Sequence, residues 1–380
     1  MPEIVEINRI EELAPFRAAW AKLLGETRDA SFFQSLEWLE VYWKFYGADQ
    51  KLRVLFVYDR GELLGIVPLT VFRDHTRLGR LKVLTYPLHD WGTFYGPIGR
   101  DTTALLTFAL QHVANTRRDW ELLDFRFIAH DGGDCSRTSI ALQAAGFTAR
   151  ESVWNETAIV DMTVGWDAFW AARDSKVRNN LKRHQKRLNE CGVVEHQRYR
   201  PLGTAHGEDD PRFDLYDACV DVARRSWQGQ SATGTTLSHP AVHDYLRETH
   251  AAAARLGCVD LNLIKIDGVP IGFGYNYIYN GSLQGIRIGY DPNYAKAGVG
   301  NMLYLYTFQD GFARGDKLFD LGVGSLDIKR FWWTRTEQSY RYTFYPLLAP
   351  RAQLLRLKHW LWDSKQAASD AKGAPVATEA

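Results

Sequence analysis

Short runs of alternating apolar and polar residues, separated by turn residues, occur in the same order in two parts of the chain. The shared order is a hairpin of two strands, a third strand, a glycine-containing loop, an apolar helix and a fourth strand. In the first part we predict these elements at residues 52–58, 63–72, 81–86, 89–99, 102–115 and 122–127. In the second part we predict them at residues 259–266, 271–279, 283–290, 291–300, 301–313 and 318–323. The repeat indicates a duplicated mixed α/β domain.

Helical periodicity precedes both copies and continues after the second. The predicted opening helices lie at residues 10–24, 36–46, 213–227 and 242–256, a basic helix lies at 176–188, and an amphipathic helix lies at 352–362. The tail from Ser364 is rich in Ala, Ser and Lys and is predicted to be disordered. We therefore predict an N-terminal domain at 1–155, a C-terminal domain at 156–350, and a helix with a tail at 351–380.

Composition narrows the class of protein. The chain of 380 residues is long enough for two or three domains, and its 46 Lys and Arg nearly balance 45 Asp and Glu, so DNA is not an expected partner. The cysteines have no paired spacing, which predicts neither a metal site nor disulfides; they are Cys135, Cys191, Cys219 and Cys258. We find no signal peptide and no apolar run long enough to span a bilayer, and we expect a cytoplasmic protein.

The most informative segment is the glycine loop of the second copy. It connects an apolar strand to a helix and contains Gly-x-Gly, so its backbone can come close to a ligand. The first N–H groups of a helix lack partners inside it, and we predict three free ones here, from Gly298 to Gly300. This arrangement predicts a phosphate or pyrophosphate site at Lys296, Gly298, Val299, Gly300 and Asn301. The alternative interpretation is a tight strand-to-helix connection.

The matching loop of the first copy differs at the decisive position. It reads Gly96–Pro97–Ile98–Gly99. Because proline has no N–H group, this loop has lost a donor that a phosphate would need. We therefore predict that the second copy binds a ligand and that the first copy is degenerate.

Several segments resemble one family. They are residues 33–39, 175–181, 226–229, 267–272, 290–303, 319–322 and 329–332. These segments and the order of elements resemble the GNAT acyltransferases, and more narrowly the CelD/BcsL-type acetyltransferases. That type is related to the Fem-type peptidoglycan aminoacyltransferases and likewise has two GNAT-like domains. The resemblance extends from residue 30 to residue 345. One departure is Ala295, where GNAT loops carry Gln or Arg, and we expect Lys296 to supply the charge.

The resemblance implies transfer of an acyl group from acetyl-CoA or another acyl-CoA to an amine or hydroxyl. The implied acceptor is a sugar, a polysaccharide or a cell-envelope precursor, and a polysaccharide-synthesis system is the implied partner. Asp320 is the candidate base, Lys329 the candidate for binding acceptor phosphate or stabilising charge, and Arg287 lies on the strand expected beside the thioester. The alternatives are that Asp320 is a feature of the fold, since Asp124 holds the equivalent position, and that Lys329 and Arg287 are exposed.

The basic helix and one tryptophan are candidates for binding the acceptor. Lys176 and Asn180 lie one helical turn apart, among cations that would attract an anionic acceptor or CoA phosphates. Trp227 is a candidate platform for a sugar ring. The alternatives, a solvated surface helix and a tryptophan packed in the core, are favoured by residue type alone.

Two other functions stay open. A Fem-type transferase dependent on aminoacyl-tRNA is disfavoured by the near-neutral charge and by the lack of a long helical-hairpin insertion. A non-catalytic accessory protein of polysaccharide synthesis is also compatible with the sequence, because a shared fold does not guarantee activity.

Overall fold

We analysed a computed structural model, which describes residues 2–76, 79–89, 91–92, 95–129 and 133–370. These residues form a mixed sheet of thirteen strands flanked by helices. The fold class predicted from the repeat, a duplicated mixed α/β architecture, is confirmed.

The described residues of the N-terminal half contain the first seven strands and four helices. The strands are β1 (Glu3–Ile7), β2 (Lys51–Asp59), β3 (Glu62–Thr76), β4 (Gly79–Thr85), β5 (Ile98–Gly99), β6 (Leu122–Ala129) and β7 (Arg150–Asp161). The helices are α1 (Arg17–Glu26), α2 (Leu36–Tyr46), α3 (Thr102–Asn115) and α4 (Arg137–Ala144). A 3-10 helix at Ile10–Phe16 precedes α1.

The C-terminal half, as far as residue 370, contains six strands and seven helices. Its strands are β8 (Val194–Tyr199), β9 (Val259–Ile266), β10 (Val269–Tyr279), β11 (Ser282–Tyr290), β12 (Leu318–Asp320) and β13 (Arg335–Phe344). Its helices are α5 (Trp166–Ala171), α6 (Ser175–Asn189), α7 (Phe213–Arg225), α8 (His243–Arg255), α9 (Val299–Arg314), α10 (Leu326–Lys329) and α11 (Pro350–Asp370). A 3-10 helix at Pro292–Ala297 precedes α9.

Three predicted boundaries are wrong for identifiable reasons. The strand predicted at 318–323 ends at Asp320, because Gly322 has a φ of 75° and its N–H donates to the Asp320 carboxylate. The helix predicted at 10–24 is split into a 3-10 turn and α1, with Pro15 inside the turn. The tail predicted to be disordered from Ser364 continues α11 as far as Asp370, and residues 371–380 lie outside the described residues.

The strand order shows how the two copies are joined. It runs β1-β2-β3-β4-β6-β13-β7-β12-β11-β10-β9-β8, with β5 beside β3. β7 follows β6 in the chain but pairs with β12, whereas β13 follows β12 and pairs with β6. Each half therefore supplies the strand that completes the sheet of the other half. The domain boundary predicted at 155/156 falls inside β7.

The halves also share apolar packing beyond the sheet. Phe32 and Phe33, which precede α2, pack on Tyr277 of β10 with ring centroids 4.7 and 5.6 Å apart. α2 lies against α8, its counterpart in the second copy, and one apolar cluster continues through both halves. Because buried apolar area is the main stabilising contribution to a fold, the two halves stabilise each other.

Candidate functional site

A cleft opens where two parallel strands of the C-terminal half separate. β11 and β12 pair only from Ser282–Leu318 to Gln284–Asp320, after which β12 ends and β11 continues with β10 as its remaining strand neighbour. A cavity of about 400 Å³ fills the space between the free part of β11, helix α9 and the segment after β12. This cavity follows from the strand separation and defines the candidate site.

A β-bulge shapes the wall of the cleft. Along β11 the pairing with β10 shifts between Arg287–Tyr275 and Gly285–Asn276, so Ile286 is an extra residue. Such a bulge turns the strand and changes the direction of its peptide groups. Beyond Gln284 the edge of β11 that faces the cleft has no strand partner among the described residues, so the backbone groups of that edge do not belong to a strand ladder.

Asp320 is buried at the point where the strands separate. Its carboxylate accepts a hydrogen bond of 2.8 Å from the N–H of Gly322. Burial raises the pKa of Asp320 to about 6, and the neighbouring Glu337 acts in the same direction. The bond from Gly322 and the charge of Lys329 oppose this increase. A carboxyl group with this pKa is mostly ionised at neutral pH and can accept a proton, and a pKa close to the working pH suits a general base.

Lys329 is buried beside the same cleft, which contradicts the solvated lysine favoured by residue type. Its ammonium donates to the carbonyl of Gly322 at 2.5 Å and to that of Val323 at 3.3 Å. Burial lowers the pKa of Lys329 to about 8, and the carboxylate of Asp320 opposes the decrease. The two groups thus have pKa values moved toward each other, a pattern typical of acid–base sites.

The first copy provides an internal comparison for Asp320. Asp124 is also fully buried, but its carboxylate accepts bonds from Arg126 and Arg341, each at 2.6 Å, and from Thr343 at 3.0 Å. Although burial raises its pKa, these two arginines outweigh that effect and hold the pKa of Asp124 below its ordinary value. The equivalent aspartates therefore have opposite properties, and only Asp320 of the two has the protonation behaviour of a base.

Gly285 keeps the cleft open. A Cβ atom built on Gly285 would lie 3.1 Å from the carbonyl oxygen of Asp320. When the two copies are aligned on their parallel strand pairs, Tyr86 takes the position of Gly285, and its ring stacks on Phe125 with centroids 4.6 Å apart. The first copy fills the equivalent space with aromatic rings. The sequence comparison identified the degenerate loop but missed this substitution.

The glycine loop has the predicted shape with one correction. Gly298 adopts a φ of 71° and directly precedes α9, which no side chain caps among the described residues. Contrary to the prediction, its N–H is not free but donates to the carbonyl of Ala295 at 3.0 Å. The N–H groups of Val299 and Gly300 stand in the first turn of α9, where no intrahelical acceptor is within reach. Lys296 is exposed beside them, and Asn301 accepts from the indole of Trp332.

The basic helix α6 packs across this loop. The ring of His184 lies over Gly298, so that a Cβ atom there would approach it to 2.4 Å, and Arg187 donates to the carbonyl of Lys296. Burial and the charges of Arg187 and Arg183 lower the pKa of His184. Its buried Nδ1 has no hydrogen-bond partner among the described residues. Uncapped N–H groups, several cations and an unpartnered imidazole nitrogen suit a phosphate group.

The loop of the first copy has lost these features. Helix α3 begins at a cap by Asp101, whose carboxylate accepts from the N–H of Ala104 at 3.0 Å, so a negative charge already occupies the helix start. The N–H of Gly99 donates to the hydroxyl of Thr27 at 2.8 Å. Two donors that a phosphate would need are therefore already used.

The remaining predicted residues are only partly assembled at the cleft. Arg287 lines it, with its guanidinium 4.3 Å from the ring centroid of Trp91 and bonded to the carbonyl of Thr235. Trp227 also lines it and is 62% exposed, which contradicts packing in the core. Lys176 is exposed on α6, and Asn180 accepts a bond from Arg183 on the same helix. Neither residue lines the cleft.

A second cavity, of about 280 Å³, adjoins Asp320 from the N-terminal half. Its walls combine both halves of the protein and are rich in polar groups, including Gln34, Asp134, Arg137, Thr157, Gln284, Glu337 and Ser339. Lys329 lines the first cavity and Asp320 the second, so the pair stands between them. Thr157 and Glu337 come from the exchanged strands β7 and β13, which is why sequence reasoning missed them.

Comparisons with known proteins agree with this geometry. Residues 175–330 match the family model of the acetyltransferase (GNAT) domain, and the chain has the fold of a GNAT-domain acetyltransferase. This segment includes the cleft, the glycine loop, Asp320 and Lys329. No curated protein matches the chain in sequence.

Solved structures share the fold over nearly the whole chain. The structure of FemX is similar with a TM-score of 0.61 and 12% identity, covering 93% of this chain and 99% of its own. The L-PGS of Bacillus licheniformis is similar with a TM-score of 0.52 and 14% identity, covering 91% and 96%. The C-terminal domain of a putative lysylphosphatidylglycerol synthetase from Agrobacterium fabrum gives 0.52 and 12%, covering 90% and 95%. At these identities the likeness concerns the fold alone.

In the described ranges, no group of three or more His, Cys, Asp or Glu side chains is placed to hold a metal ion. Within the same part of the chain, none of the helices combines the length and the apolar character needed to cross a bilayer.

Proposed function

We propose that this protein is an acyltransferase that moves an acyl group, acetyl in the simplest case, from CoA to an amine or hydroxyl of a sugar or cell-envelope precursor. A cytoplasmic enzyme of the CelD/BcsL type, serving polysaccharide synthesis, fits this proposal. The observation that carries it is the position of the buried Asp320 and Lys329 between two cavities, one lined by β11 and α9 and one between the halves. Such a site accommodates two substrates on opposite sides of one acid–base pair.

The residues suited to the donor belong to the C-terminal half. The N–H groups of Val299 and Gly300, with Lys296, Arg183 and Arg187, suit the phosphates of CoA. The cleft beside β11 suits the apolar arm that ends in the thioester, which supplies the activated acyl group. The free edge of β11 beyond Gln284 would donate to the thioester carbonyl and stabilise the charge that develops on its oxygen.

The acid–base pair has separate tasks in this proposal. Asp320, with a pKa of about 6, accepts the proton of the acceptor amine or hydroxyl. Lys329, with a pKa of about 8, stabilises the departing thiolate or gives it a proton. The acceptor would lie in the polar cavity between the halves. Most charged side chains that line this cavity already form ion pairs with one another, as Arg137 does with Asp134 and Arg335 with Glu337. A polyhydroxyl acceptor with few charges suits such walls.

Release of free CoA thiol in the presence of a panel of amino sugars and nucleotide sugars tests the proposal. We expect turnover with at least one acceptor, and about 10²–10⁴-fold slower turnover for Asp320→Asn. The rate should rise with pH near 6 and fall near 8, as the pair titrates. Asp49→Asn, at an exposed carboxylate, is the control and should leave the rate unchanged. Equal rates for Asp320→Asn and the wild type would refute the role of Asp320.

A Fem-type transfer from aminoacyl-tRNA is the second candidate, and one observation favours it. His184 covers Gly298 and narrows the approach to the loop, while Arg187 of α6 donates to the carbonyl of Lys296 in the same loop. The two functions are separated by offering the protein acetyl-CoA or a charged tRNA and measuring binding. Binding of charged tRNA with no binding of any acyl-CoA would replace the first proposal by the second.

A further inference from the structure

The C-terminal helix α11 is attached to the protein by only one of its faces. Ala352 and Leu355 are buried against β4, β6 and Tyr345, and the hydroxyl of Tyr345 bonds to His359 at 2.6 Å. The strands that α11 covers, β4 and β6, belong to the N-terminal half and lie far along the sheet from the cleft between β11 and β12. No residue of α11 lines the cleft between β11 and β12 or the polar cavity between the halves.

The opposite face of α11 presents large apolar side chains to the outside. Leu354, Leu357 and Leu361 recur at spacings of three and four, so they share one stripe, and Trp360 lies beside them with 62% of its surface exposed. Leu347 and Leu348, just before the helix, are exposed to 81% and 86%. Six large apolar side chains so close together are unusual on a surface that contacts only water.

Cations border this apolar stripe. Arg351 and Lys358 lie along one side of the stripe and Arg356 along the other, all exposed. The sequence contains no Asp or Glu from Tyr345 to Trp362. Two further contacts bring arginines next to the helix, since Arg118 donates to the carbonyl of Leu348 and Arg351 donates to the carbonyl of Arg80. The surface is therefore apolar in its centre and positive at its margins.

We infer that this surface, formed by residues 347–361, binds the interface of an anionic lipid bilayer. An amphipathic helix with leucines and a tryptophan on one face and basic residues at the margins is suited to lie in the headgroup region. The leucines would enter the acyl boundary, Trp360 would sit at the headgroups, and Arg351, Arg356 and Lys358 would pair with lipid phosphates. The docked face of α11 would keep the helix parallel to the membrane.

The charges favour a bilayer over a second copy of the chain. In a symmetric dimer the same surface lies on both sides of the contact, so the cations bordering one stripe would face the cations bordering the other. Burying like charges together costs free energy, whereas an anionic surface neutralises them. The charge pattern is complementary to acidic lipids and not to itself.

Co-sedimentation of the full chain with vesicles tests the inference. We expect binding to phosphatidylcholine vesicles that contain phosphatidylglycerol, weak binding to phosphatidylcholine alone, and loss of binding at high salt. The double variant Leu357→Glu with Trp360→Glu should abolish binding. Arg356→Gln with Lys358→Gln should weaken it about thirtyfold. Val269→Glu, at an exposed apolar residue elsewhere, is the matched control and should bind as the wild type does.

Three outcomes would overturn the inference. One is equal binding to neutral and anionic vesicles, and another is binding that neither double variant reduces. The third is a concentration-dependent dimer, measured by sedimentation velocity, that Leu357→Glu with Trp360→Glu converts to monomer while vesicles remain unbound. The pair of charge-neutralising substitutions keeps the test decisive if the two glutamates impair folding.

Discussion

Two aspartates at equivalent positions have been given different environments by their neighbours. Asp124 is neutralised by two arginines and a threonine, and it ties β6 to β13. Asp320 is equally buried, but its charged neighbours are Lys329 and Glu337, and its pKa rises to about 6. A purely structural role does not require a buried carboxyl group with a raised pKa, so we interpret Asp320 as the functional aspartate of the pair.

Replacing Asp320 by asparagine should stabilise the fold at neutral pH. The pKa of Asp320 is raised by folding, so its favourable contribution is present below the ordinary pKa near 4 and is lost as pH rises through about 6. The asparagine side chain would not carry the buried charge, and we expect the free energy of unfolding at pH 8 to rise by about 1–3 kcal/mol. Urea unfolding at pH 8 and pH 4 measures this, with the gain expected to vanish at pH 4.

The matched substitution Asp124→Asn should have the opposite effect. It removes the partner of two partly buried guanidinium groups, and we expect a loss of about 3–5 kcal/mol at neutral pH. Folding lowers the pKa of Asp124. The wild type should therefore be more stable than the variant above the ordinary pKa of an aspartate, and this difference in stability should decline as pH falls through the pKa of Asp124 in the folded protein. Destabilisation by both substitutions alike would contradict the functional distinction between the two positions.

The residue types at the site could be read from the sequence, but their surroundings could not. Asp320 could be identified because it lies in the strand expected beside the acyl donor, Lys329 because its segment resembles the family, and the glycines because they join a strand to a helix. Glu337 and Thr157 reach the site only through the exchange of β7 and β13, which pairs residues far apart in the chain. Local pattern carries no information about such pairing, so the burial of Lys329 was also unpredictable.

The second copy and the first copy differ in how their strands and helices end. β11 passes a bulge and Gly285 before the glycine loop, whereas Tyr86 follows the equivalent strand and fills the gap. Helix α9 starts without a side-chain cap from the described residues, whereas Asp101 caps α3. In the second copy, this supersecondary unit has an open cleft and a helix start without a side-chain cap. In the first copy, Tyr86 fills the cleft and Asp101 caps the helix.

Substitution of Gly298 by Ala should impair the loop. The residue has a φ of 71°, and its new Cβ atom would approach the ring of His184 to 2.4 Å. We expect a loss of stability of about 1–3 kcal/mol and weaker binding of acyl-CoA. The double variant Gly298→Ala with His184→Ala should recover the part of the lost stability that the clash with the ring causes. It should not recover the part that the strained backbone of residue 298 causes. Thermal unfolding and calorimetry of the single and double variants measure this. Full recovery, or none, would contradict the proposed packing of α6 on the loop.

Sequence pattern predicted the elements of the repeat well, because alternation and turn residues are local signals. The helices Thr102–Asn115 and Leu36–Tyr46 and the strand Val259–Ile266 have the predicted bounds. β7, β8 and β13 were missed, since their polar and charged residues hide the alternation until a neighbouring strand covers one face.

At the scale of the whole molecule, the exchange of β7 and β13 makes the two halves one structure. β7 joins β12 to β13, and β13 joins β7 to β6, so the centre of the sheet is built from both halves of the chain. The polar cavity beside Asp320 exists only in this joined state. The first copy therefore serves the second as one wall of its proposed acceptor site, even without a ligand of its own.

Fragments 1–161 and 162–380, which divide the chain directly after β7, should each fail to fold alone. Each would lack a central strand and expose the apolar cluster that both halves share. Together they should associate and recover native-like circular dichroism. Co-expression followed by size-exclusion chromatography measures this. A separately stable and monomeric C-terminal fragment would contradict the mutual completion of the sheet.

Calorimetric titration with acetyl-CoA tests the central claim most directly. We expect the wild type to bind acetyl-CoA. We expect Gly285→Tyr, which copies Tyr86 into the second cleft, to abolish binding while the protein stays folded. Gly25→Ala, where a Cβ atom meets no neighbour within 4 Å, is the control and should bind normally. Absence of binding by the wild type, or equal binding by Gly285→Tyr, would contradict the claim that the cleft between β11 and β12 receives the acyl donor.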